Sequence, residues 1–404
     1  MDITLAPEVL KGADISRIPV YEPFLAGNVP HYVNECLSTG WISSRGGFIS
    51  RFETAFAEFV GADDAVSVAN GTVAIHLALV ALGIGPGDEI VVPSFTYIAS
   101  VNTILQTGAT PVFVDSLEST LQIDPSAIRK AITQRTKAVM AVHLYGHPCE
   151  MDSIVALCQE FGILLIEDCA EAFGSRWSGQ HVGTFGDAAT FSFFGNKTIT
   201  TGEGGMVLAR DPEILERCRR LKNQGVSTSR EYWHDMLAYN YRMTNIEAAI
   251  GVAQMEIASS ILEMKRRLAE AYRSDLSGLP LRTHDPIGDV VHSHWMCSVI
   301  VDDPKDRDPL RVHLSERGIE TRPFFRQAHR MPHCSAQGDF PVGESLSARG
   351  INLPSYPGLT SGQVGRICAD VRSFLGNLRS FVTTRPGLGL LEPAVDYLEV
   401  HPES

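Results

Sequence analysis

Short apolar runs rich in β-branched residues alternate with helix-like stretches from about residue 65 to residue 210. The runs predict buried strands, and the stretches between them carry apolar residues at helical spacing. The predicted strands are AVSVA (65–69), EIVVP (89–93), PVFVD (111–115), KAVMAVHL (137–144), ILLIED (163–168), ATFSFF (189–194) and GMVLA (205–209). The predicted helices are GTVAIHLALVALG (71–83), PSAIRKAI (125–132) and MDSIVALCQEFG (151–162). This alternation indicates an α/β domain whose sheet is covered on both faces.

The pattern changes after about residue 245. Apolar residues at i, i+3 and i+4 predict one long helix over roughly 245–275, which ends where SGLP supplies Gly and Pro. A smaller α+β region is expected over about 280–380, with a strand at WMCSVIV (295–301) and a helix at PLRVHLSERG (309–318). The last twenty or so residues are expected to form a loosely packed tail.

Composition narrows the class of protein. A length of 404 residues with 44% hydrophobic and 20% charged side chains predicts a globular chain of two domains. The formal net charge of 34 − 47 = −13 disfavours nucleic acid and anionic membranes as partners. No signal-peptide pattern or membrane-length apolar segment is present, so a cytoplasmic location is expected. Eight scattered cysteines without a CxxC pair predict reduced, mostly buried thiols.

Lys197 is the first candidate for chemistry. It follows an apolar strand and begins a polar, glycine-rich turn in ATFSFFGNKTITTGEGG (189–205). An apolar, partly dehydrated setting lowers the pKa of a lysine, which a Schiff-base nucleophile requires. The alternative is an ordinary surface lysine at the edge of a loop.

A pair of acids ends the strand in ILLIEDCAEAFG (163–174). Glu167 and Asp168 lie at its carboxyl end, the edge at which open α/β sheets bind ligands. A buried carboxylate there suits a cation such as the protonated pyridine nitrogen of pyridoxal 5′-phosphate (PLP). The alternative is a pair that caps the following turn. The pattern by itself does not choose between the two acids.

A third candidate is an anion site at ANGTVAIHLAL (69–79), where a strand, Asn-Gly-Thr and a helix follow one another. Backbone N–H groups and a hydroxyl at a helix N-terminus suit a phosphate, although a plain helix cap is the alternative. Ser192 is either an ordinary residue of its strand or a further phosphate ligand. Tyr97 is either a core aromatic or a ring that stacks on a cofactor. His292 and His294 would face one side of a strand, but without a third ligand we expect no metal site.

Taken together, NGT, the strand-end Glu-Asp and FSFFGNKTITTGEGG resemble the DegT/DnrJ/EryC1/StrS family of sugar aminotransferases in order and spacing, over about residues 18–375. The resemblance implies a PLP-dependent fold-type I enzyme. Its fold would be a large three-layer α/β domain with a mixed, mostly parallel sheet and a smaller C-terminal α+β domain. The expected ranges are an N-terminal segment (1–20), the large PLP-binding domain (21–260), the small domain (261–380) and a tail (381–404).

The resemblance also assigns roles to individual residues. Lys197 would hold PLP as the Schiff-base lysine and move the protons of the reaction, and Asp168, in preference to Glu167, would pair with the pyridine nitrogen. Glu171 would approach the phenolic oxygen and Tyr97 would stack on the ring. The phosphate would be held by Gly71, Thr72 and Ser192, and by Asn240 of a neighbouring subunit, which makes the expected active unit a homodimer.

A narrower resemblance concerns the substrate. Stretches of the chain are similar to the branch of this family that acts on GDP-4-keto-6-deoxy-mannose. They are WISSRGGFISRFE (41–53), PSFTYIASVN (93–102), VHLYGHPCEMD (142–152), SFFGNKTITTGEGG (192–205), YNYRMTNIEAAIG (239–251), RPFFRQAHRMP (322–332) and INLPSYPGLT (351–360). The implied reaction moves the amino group of L-glutamate to C4 of this sugar, giving GDP-perosamine and 2-oxoglutarate. His329 and Arg330 are expected in the sugar pocket, or else are exposed loop residues. A UDP- or dTDP-linked keto sugar is the alternative acceptor, and a non-enzymatic regulator that binds PLP is the alternative of another class.

Overall fold

The structure of the chain is a computed structural model that describes residues 17–334, 336 and 338–383. Most of the expected N-terminal segment and almost all of the expected tail lie outside the described residues. The helices are α1 Val29–Thr39, α2 Gly47–Val60, α3 Gly71–Ala81, α4 Ile98–Gln106, α5 Pro125–Ala131, α6 Met151–Phe161, α7 Pro212–Lys222, α8 Asn245–Glu256, α9 Ala258–Asp275, α10 Pro304–Glu316, α11 Pro341–Arg349 and α12 Ser361–Thr383. The strands are β1 Val66–Val68, β2 Glu89–Pro93, β3 Thr110–Val114, β4 Thr136–Val142, β5 Leu164–Asp168, β6 Arg176–Trp177, β7 Gln180–His181, β8 Ala188–Ser192, β9 Gly205–Ala209, β10 Leu281–Thr283, β11 Val290–Val291, β12 Cys297–Val301, β13 Arg322–Pro323 and β14 Gly350–Leu353.

A seven-stranded sheet organises the first part of the chain, in the order β1-β9-β8-β5-β4-β2-β3. Strand β9 runs antiparallel to both of its neighbours, and the other strands run parallel to one another. The α/β class and the mixed, mostly parallel sheet are therefore confirmed. The register places Val142 beside Asp168 and Asp168 beside Thr190, so the carboxyl ends of β4, β5 and β8 meet at one edge.

Helices cover both faces of this sheet. One face buries a group of aromatic rings that includes Phe52 and Phe56 of α2 and Phe191 of β8, all between 0% and 1% exposed. The opposite face packs β4 against α6, with Ile128 of α5 and Ile154 of α6 fully buried. Each such side chain contributes about 1.5–3 kcal/mol by leaving water. The packed layers hold the carboxyl edge of the sheet rigid.

A second sheet lies further along the chain. Its four strands are antiparallel, in the order β10-β12-β14-β13, and they share a core with α9, α10 and α12. The chain's first described residues also join this part, since Ile18 pairs with Ile319 and its N–H donates to the Gly318 carbonyl at 2.8 Å. The smaller C-terminal α+β unit is present, while its expected bounds stay a prediction.

Two predicted helices differ from the structure. The prediction of a single helix over 245–275 was wrong, because α8 and α9 are separate helices that meet at Ile257. The φ of −116° and ψ of 8° at Ile257 lie outside helical geometry. The Ile257 N–H donates to the Gln254 carbonyl, three residues back, which tightens the last turn. Helix α10 begins at Pro304, five residues before the predicted start, because the Asp303 side chain caps it by accepting the Lys305 N–H. Pro309, which was expected at the start of the helix, lies inside it.

Two other expectations concern the whole chain. All eight cysteines lie within the described residues and are buried, as predicted, and none of them forms a disulfide in the structure. Among the residues that the structure describes, no helix has the length and apolar character needed to span a bilayer.

Candidate active site

A cavity of about 470 Å³ opens at the carboxyl edge of the large sheet, beside the first turn of α3. It collects most of the residues that the sequence singled out. Its lining includes Gly71, Thr72, Tyr97, Asp168, Glu171, Ser192 and Lys197, together with Asn70, Phe194, Asn196, Glu203, Trp295 and Phe325. Residues from strand ends, helix starts and loops thus meet at one place, as expected for a ligand site in an open α/β sheet.

Lys197 lies in the turn that follows β8, where its N–H donates to the Phe194 carbonyl. Its side chain is 13% exposed, with Nζ 3.8 Å from Oε1 of Glu171 and 4.1 Å from the centre of the Trp295 ring. Burial lowers the pKa of the Lys197 amine, while the nearby Glu171 and Asp168 carboxylates oppose that shift. The site therefore holds an amine that gives up its proton more easily than a surface lysine does.

Asp168 is the last residue of β5, and its side chain faces the cavity. The Ser100 hydroxyl donates to Oδ2 at 2.6 Å, and the Ala170 N–H donates to Oδ1 at 3.0 Å. Only 5% of Asp168 is exposed. Two donors therefore fix the orientation of a carboxylate at the end of the strand.

Glu167 points to the opposite face of the sheet, because successive side chains of a strand alternate. Its carboxylate accepts backbone N–H groups and lies 3.1 Å from Nε2 of His143. The N–H donors are those of Gly183, Phe185 and Gly186. Glu167 thus ties a buried loop to the sheet, and of the two strand-end acids the cavity contains Asp168 alone.

Glu171 follows on the turn after β5 and is 6% exposed. Its Oε2 accepts the Tyr145 N–H at 2.8 Å, and its Oε1 faces Lys197. Burial raises the pKa of Glu171 to about 7, although the Lys197 ammonium pulls it down. This carboxyl changes charge close to neutral pH.

The first turn of α3 forms the other end of the cavity. The Asn70 side chain caps the helix by accepting the Val73 N–H at 3.0 Å. Within the described part of the chain, the N–H groups of Gly71 and Thr72 have no protein acceptor. A Cβ added to Gly71 would lie 2.6 Å from Cβ of Ser192, so a larger residue would fill this space. Free N–H groups at a helix N-terminus, beside a hydroxyl, are suited to a phosphate.

Aromatic side chains form the walls. Tyr97 is 54% exposed, and its ring lies 5.4 Å from that of Phe325 at an angle of 50°. Trp295 is buried, and its indole N–H donates to the Asn196 carbonyl at 2.7 Å. Tyr97 is therefore a wall of the cavity, and the alternative of a core aromatic is wrong. Asn240 is exposed and does not line this cavity.

The structure does not bring His329 and Arg330 into this cavity. His329 is 6% exposed, with Nδ1 2.6 Å from the Ser94 hydroxyl and its ring 4.6 Å from that of Phe340. Arg330 is exposed and forms an ion pair with Glu344. Packing holds the His329 ring inside the chain, and the ion pair holds Arg330 on the surface, so their expected place in the sugar pocket gains no support from this cavity.

The two histidines weighed as metal ligands belong to a buried group. His147 and His284 lie beside His292 and His294, and the His292 and His294 rings stack 4.0 Å apart. Nε2 of His284 lies 2.9 Å from the Thr120 carbonyl, and Nδ1 of His292 accepts the His294 N–H at 2.9 Å. Nε2 of His292 lies 3.5 Å from Nδ1 of His284. These contacts occupy ring nitrogens of His284 and His292, and the absence of a metal site stays a prediction.

Several residues of the site were not found from the sequence, among them Ser100, Trp295 and Phe325. Ser100 lies three positions after Tyr97, on the same side of the first turn of α4, so its hydroxyl could have been placed by helical spacing. Trp295 and Phe325 reach the cavity from the C-terminal part of the chain. Trp295 begins a predicted strand, and Phe325 lies in RPFFRQAHRMP (322–332), from which only His329 and Arg330 were expected at the site. Apolar aromatics are common in cores, so neither residue was singled out.

These features fit PLP. The cavity offers a dehydrated amine at Lys197 and an oriented carboxylate at Asp168. It also offers free N–H groups at the start of α3, in a space that a side chain at Gly71 would occupy. The fold and the site together define a PLP-dependent enzyme of fold type I.

Comparison with known proteins gives the same class. The sequence profile of the DegT/DnrJ/EryC1/StrS aminotransferase family matches residues 25–372. A GDP-perosamine synthase of Vibrio cholerae is 53% identical over 362 residues, which cover 88% of this chain and 99% of the relative. The chain therefore belongs to the DegT/DnrJ/EryC1/StrS aminotransferase family, and it is an aminotransferase that uses PLP.

Solved structures share the fold. The aminotransferase TlmJ from Streptoalloteichus hindustanus superposes with a TM-score of 0.86 at 32% identity, over 90% of this chain and 100% of that one. A sugar aminotransferase of Streptococcus pneumoniae, described as putative and solved in its PLP form, superposes with a TM-score of 0.85 at 26% identity. That match covers 90% of this chain and 99% of the other.

Proposed function

We propose that this chain transfers the amino group of L-glutamate to C4 of GDP-4-keto-6-deoxy-mannose, giving GDP-perosamine and 2-oxoglutarate. The observation that carries the choice of sugar is the 53% identity with the GDP-perosamine synthase of Vibrio cholerae, which extends over 99% of that protein. The arrangement of Lys197, Asp168 and the start of α3 supports the amino transfer itself.

Seven residues of the cavity have a proposed part in holding the cofactor. Lys197 binds PLP through its amine, Asp168 pairs with the pyridine nitrogen, and Glu171 approaches the phenolic oxygen. The phosphate is held by the N–H groups of Gly71 and Thr72 and by the Ser192 hydroxyl, and Tyr97 stacks on the ring. The free N–H groups and the hydrogen-bonded Asp168 carboxylate support these assignments.

Bound PLP supplies an electron sink, which stabilises the charge that develops when a proton leaves the carbon bearing the amino group. The protein must supply the groups that move this proton. The Lys197 amine, with its lowered pKa, takes and returns protons at that carbon. Ser100 and the Ala170 N–H keep Asp168 oriented while this happens. Trp295 and Phe325 limit access of water to the amine.

The active unit is proposed to be a homodimer in which Asn240 reaches the phosphate site of the neighbouring subunit. Asn240 is exposed and lies outside its own subunit's cavity, so its side chain is accessible to a partner. Apolar side chains near it are also exposed, with Leu237 91% and Tyr232 89% accessible. Phe194, a wall of the cavity, is 48% exposed. Apolar surface of this kind beside a site favours a covering subunit.

Competing sugars test the proposed substrate. The value of kcat/KM is measured with L-glutamate and the GDP-, UDP- and dTDP-linked 4-keto-6-deoxy sugars. We expect the GDP sugar to be preferred by at least about 100-fold, because groups that hydrogen-bond guanine would be left unpaired by uracil or thymine. A UDP or dTDP sugar that is turned over better than the GDP sugar would refute the substrate while leaving the aminotransferase assignment in place.

A further inference from the structure

Glu171 is the acid that faces the reacting amine. Its Oε1 lies 3.8 Å from Nζ of Lys197, and the two side chains are 6% and 13% exposed. Among the described residues, Glu171 is the one carboxyl group with an oxygen within 4 Å of this nitrogen. The pair shares the cavity wall with the Trp295 ring, so water has limited access to either group.

The backbone of Tyr145 determines which oxygen of Glu171 faces Lys197. Tyr145 has a φ of 57°, in the left-handed region that non-glycine residues seldom adopt. In this conformation its N–H donates to Oε2 of Glu171 at 2.8 Å, and its hydroxyl accepts the Phe325 N–H at 3.0 Å. Tyr145 is completely buried. Oε2 is therefore occupied, and Oε1 is left facing the cavity.

The other acids around the cavity are not placed to take a proton from Lys197. Both oxygens of Asp168 already accept hydrogen bonds, from Ser100 and from the Ala170 N–H. Glu203 lines the cavity but is exposed to solvent and forms no ion pair with Lys197 in the described structure. Glu171 is left as the group that can exchange a proton with the amine inside the cavity.

We propose that Glu171 is a catalytic residue that exchanges one proton with Lys197. In this step an N–H bond of the Lys197 ammonium breaks and an O–H bond forms at Oε1 of Glu171. The ammonium and carboxylate become a neutral amine and a neutral acid, no electrons are transferred, and the total charge of the pair stays at zero. Rotation about the end of the lysine side chain shortens the 3.8 Å separation to hydrogen-bonding distance for the transfer. The neutral amine is then free to act as a nucleophile or base without exchange with bulk water.

The electrostatics of the pair agree with the geometry. Burial lowers the pKa of Lys197 and raises that of Glu171 to about 7, so the charged and neutral forms of the pair approach one another in free energy. The charged groups facing Glu171 are Lys197 and Asp168, with the Tyr145 hydroxyl nearby. Lys197 itself is faced by Glu171 and Asp168. The inference rests on the proposed role of Lys197 and is independent of the identity of the sugar.

The protonation of Glu171 is measured directly by infrared difference spectroscopy of the full-length chain freed of PLP, titrated from acid to alkaline pH. The C=O band of a protonated carboxyl should disappear around pH 7 in the wild type and be missing in Glu171→Gln. Lys197→Ala should keep this band and move its midpoint to higher pH, because the ammonium that favours the carboxylate is gone. Glu316→Gln, at an exposed position at the end of α10, is the control and should match the wild type.

The consequence for the reaction is measured on the PLP-loaded enzyme with L-glutamate alone, so that the sugar plays no part. Glu171→Gln should lower the rate of the glutamate half-reaction by about 100-fold or more, with little change in the glutamate concentration at half-maximal rate. Glu171→Asp, which keeps an acid, should recover part of that rate. The proposal is overturned if Glu171 stays ionised throughout the wild-type titration, or if Glu171→Gln reacts at the wild-type rate. Neither result depends on which nucleotide sugar the enzyme uses.

Discussion

The Ser100 hydroxyl donates a hydrogen bond of 2.6 Å to Oδ2 of Asp168, at the carboxyl end of β5. Ser100 belongs to the first turn of α4, and Asp168 belongs to a central strand of the sheet. The hydrogen bond therefore joins two rigid elements at the cavity. With the Ala170 N–H on the other oxygen, it leaves the Asp168 carboxylate one orientation.

The Asp168→Asn variant should still bind PLP but lose amino transfer by about 100-fold or more. A neutral amide keeps the shape of the side chain but lacks the negative charge that holds the proposed pyridinium. PLP binding is followed by visible absorbance, and transfer by the release of 2-oxoglutarate. An unchanged rate would assign the role of Asp168 to another residue.

Glu167→Gln is the matched control, since it makes the same chemical change one position earlier in the strand. Glu167 accepts three backbone N–H groups and contacts His143 on the face away from the cavity. Loss of its charge should cost about 1–3 kcal/mol of unfolding free energy. The folded enzyme should keep a near wild-type kcat. Urea unfolding measures the loss of stability, and steady-state rates measure the loss of catalysis. A large loss of kcat at wild-type stability would contradict this structural role of Glu167.

A shared active site predicts recovery of activity from two inactive variants. Lys197→Ala and Asn240→Ala should each be inactive as homodimers. In a mixed dimer, the site that keeps Lys197 also receives a native Asn240 from its partner. Equal mixing with free exchange gives mixed dimers in half of the population, each with one native site, so about a quarter of wild-type activity should return. Exchange of subunits is verified by mass spectrometry of differently tagged chains. If the chains exchange and activity still does not return, the shared site is refuted.

The buried histidines predict a loss of stability in acid. Burial lowers the pKa of His147 to about 4 and that of His294 to about 3, and it holds the pKa values of His284 and His292 well below 6.5. Folding thus favours the neutral rings. Their contribution to the unfolding free energy is fully present above pH 6.5, the ordinary pKa of histidine. As the pH falls from 6.5 towards 4, the unfolded chain binds protons that the folded chain does not.

Each histidine then reduces the unfolding free energy by up to about 1.4 kcal/mol per pH unit. His294→Asn removes one titrating ring, and asparagine tolerates the left-handed φ of 50° at this position. Urea unfolding midpoints measured at neutral pH and at about pH 5 should therefore differ less in the variant than in the wild type. An equal difference in both proteins would show that His294 does not contribute.

The sequence predicted the central sheet well, because buried strands leave a strong local signal. Each of the seven predicted strands occurs within two residues of its expected bounds. Lys197, Asp168 and the start of α3 were found for a related reason, since ligand sites in α/β folds lie at strand ends and helix starts.

Long-range packing explains what the sequence did not predict. The break at Ile257 has neither Gly nor Pro to mark it. Trp295 and Phe325 reach the cavity only through the association of the C-terminal part with the large sheet. His329 and Arg330 carry polar side chains typical of a site, yet a buried contact with Ser94 and an ion pair with Glu344 occupy them.

The most direct test of the central claim follows the visible absorbance of the purified, PLP-loaded enzyme through one cycle of amino transfer. Addition of L-glutamate should remove the absorbance band of bound PLP, and subsequent GDP-4-keto-6-deoxy-mannose should restore it with formation of GDP-perosamine. The corresponding UDP and dTDP sugars should leave the band bleached. Lys197→Ala should show neither the band nor turnover while retaining the wild-type fold by circular dichroism. A band that glutamate does not bleach, or that the GDP sugar does not restore, would contradict the account.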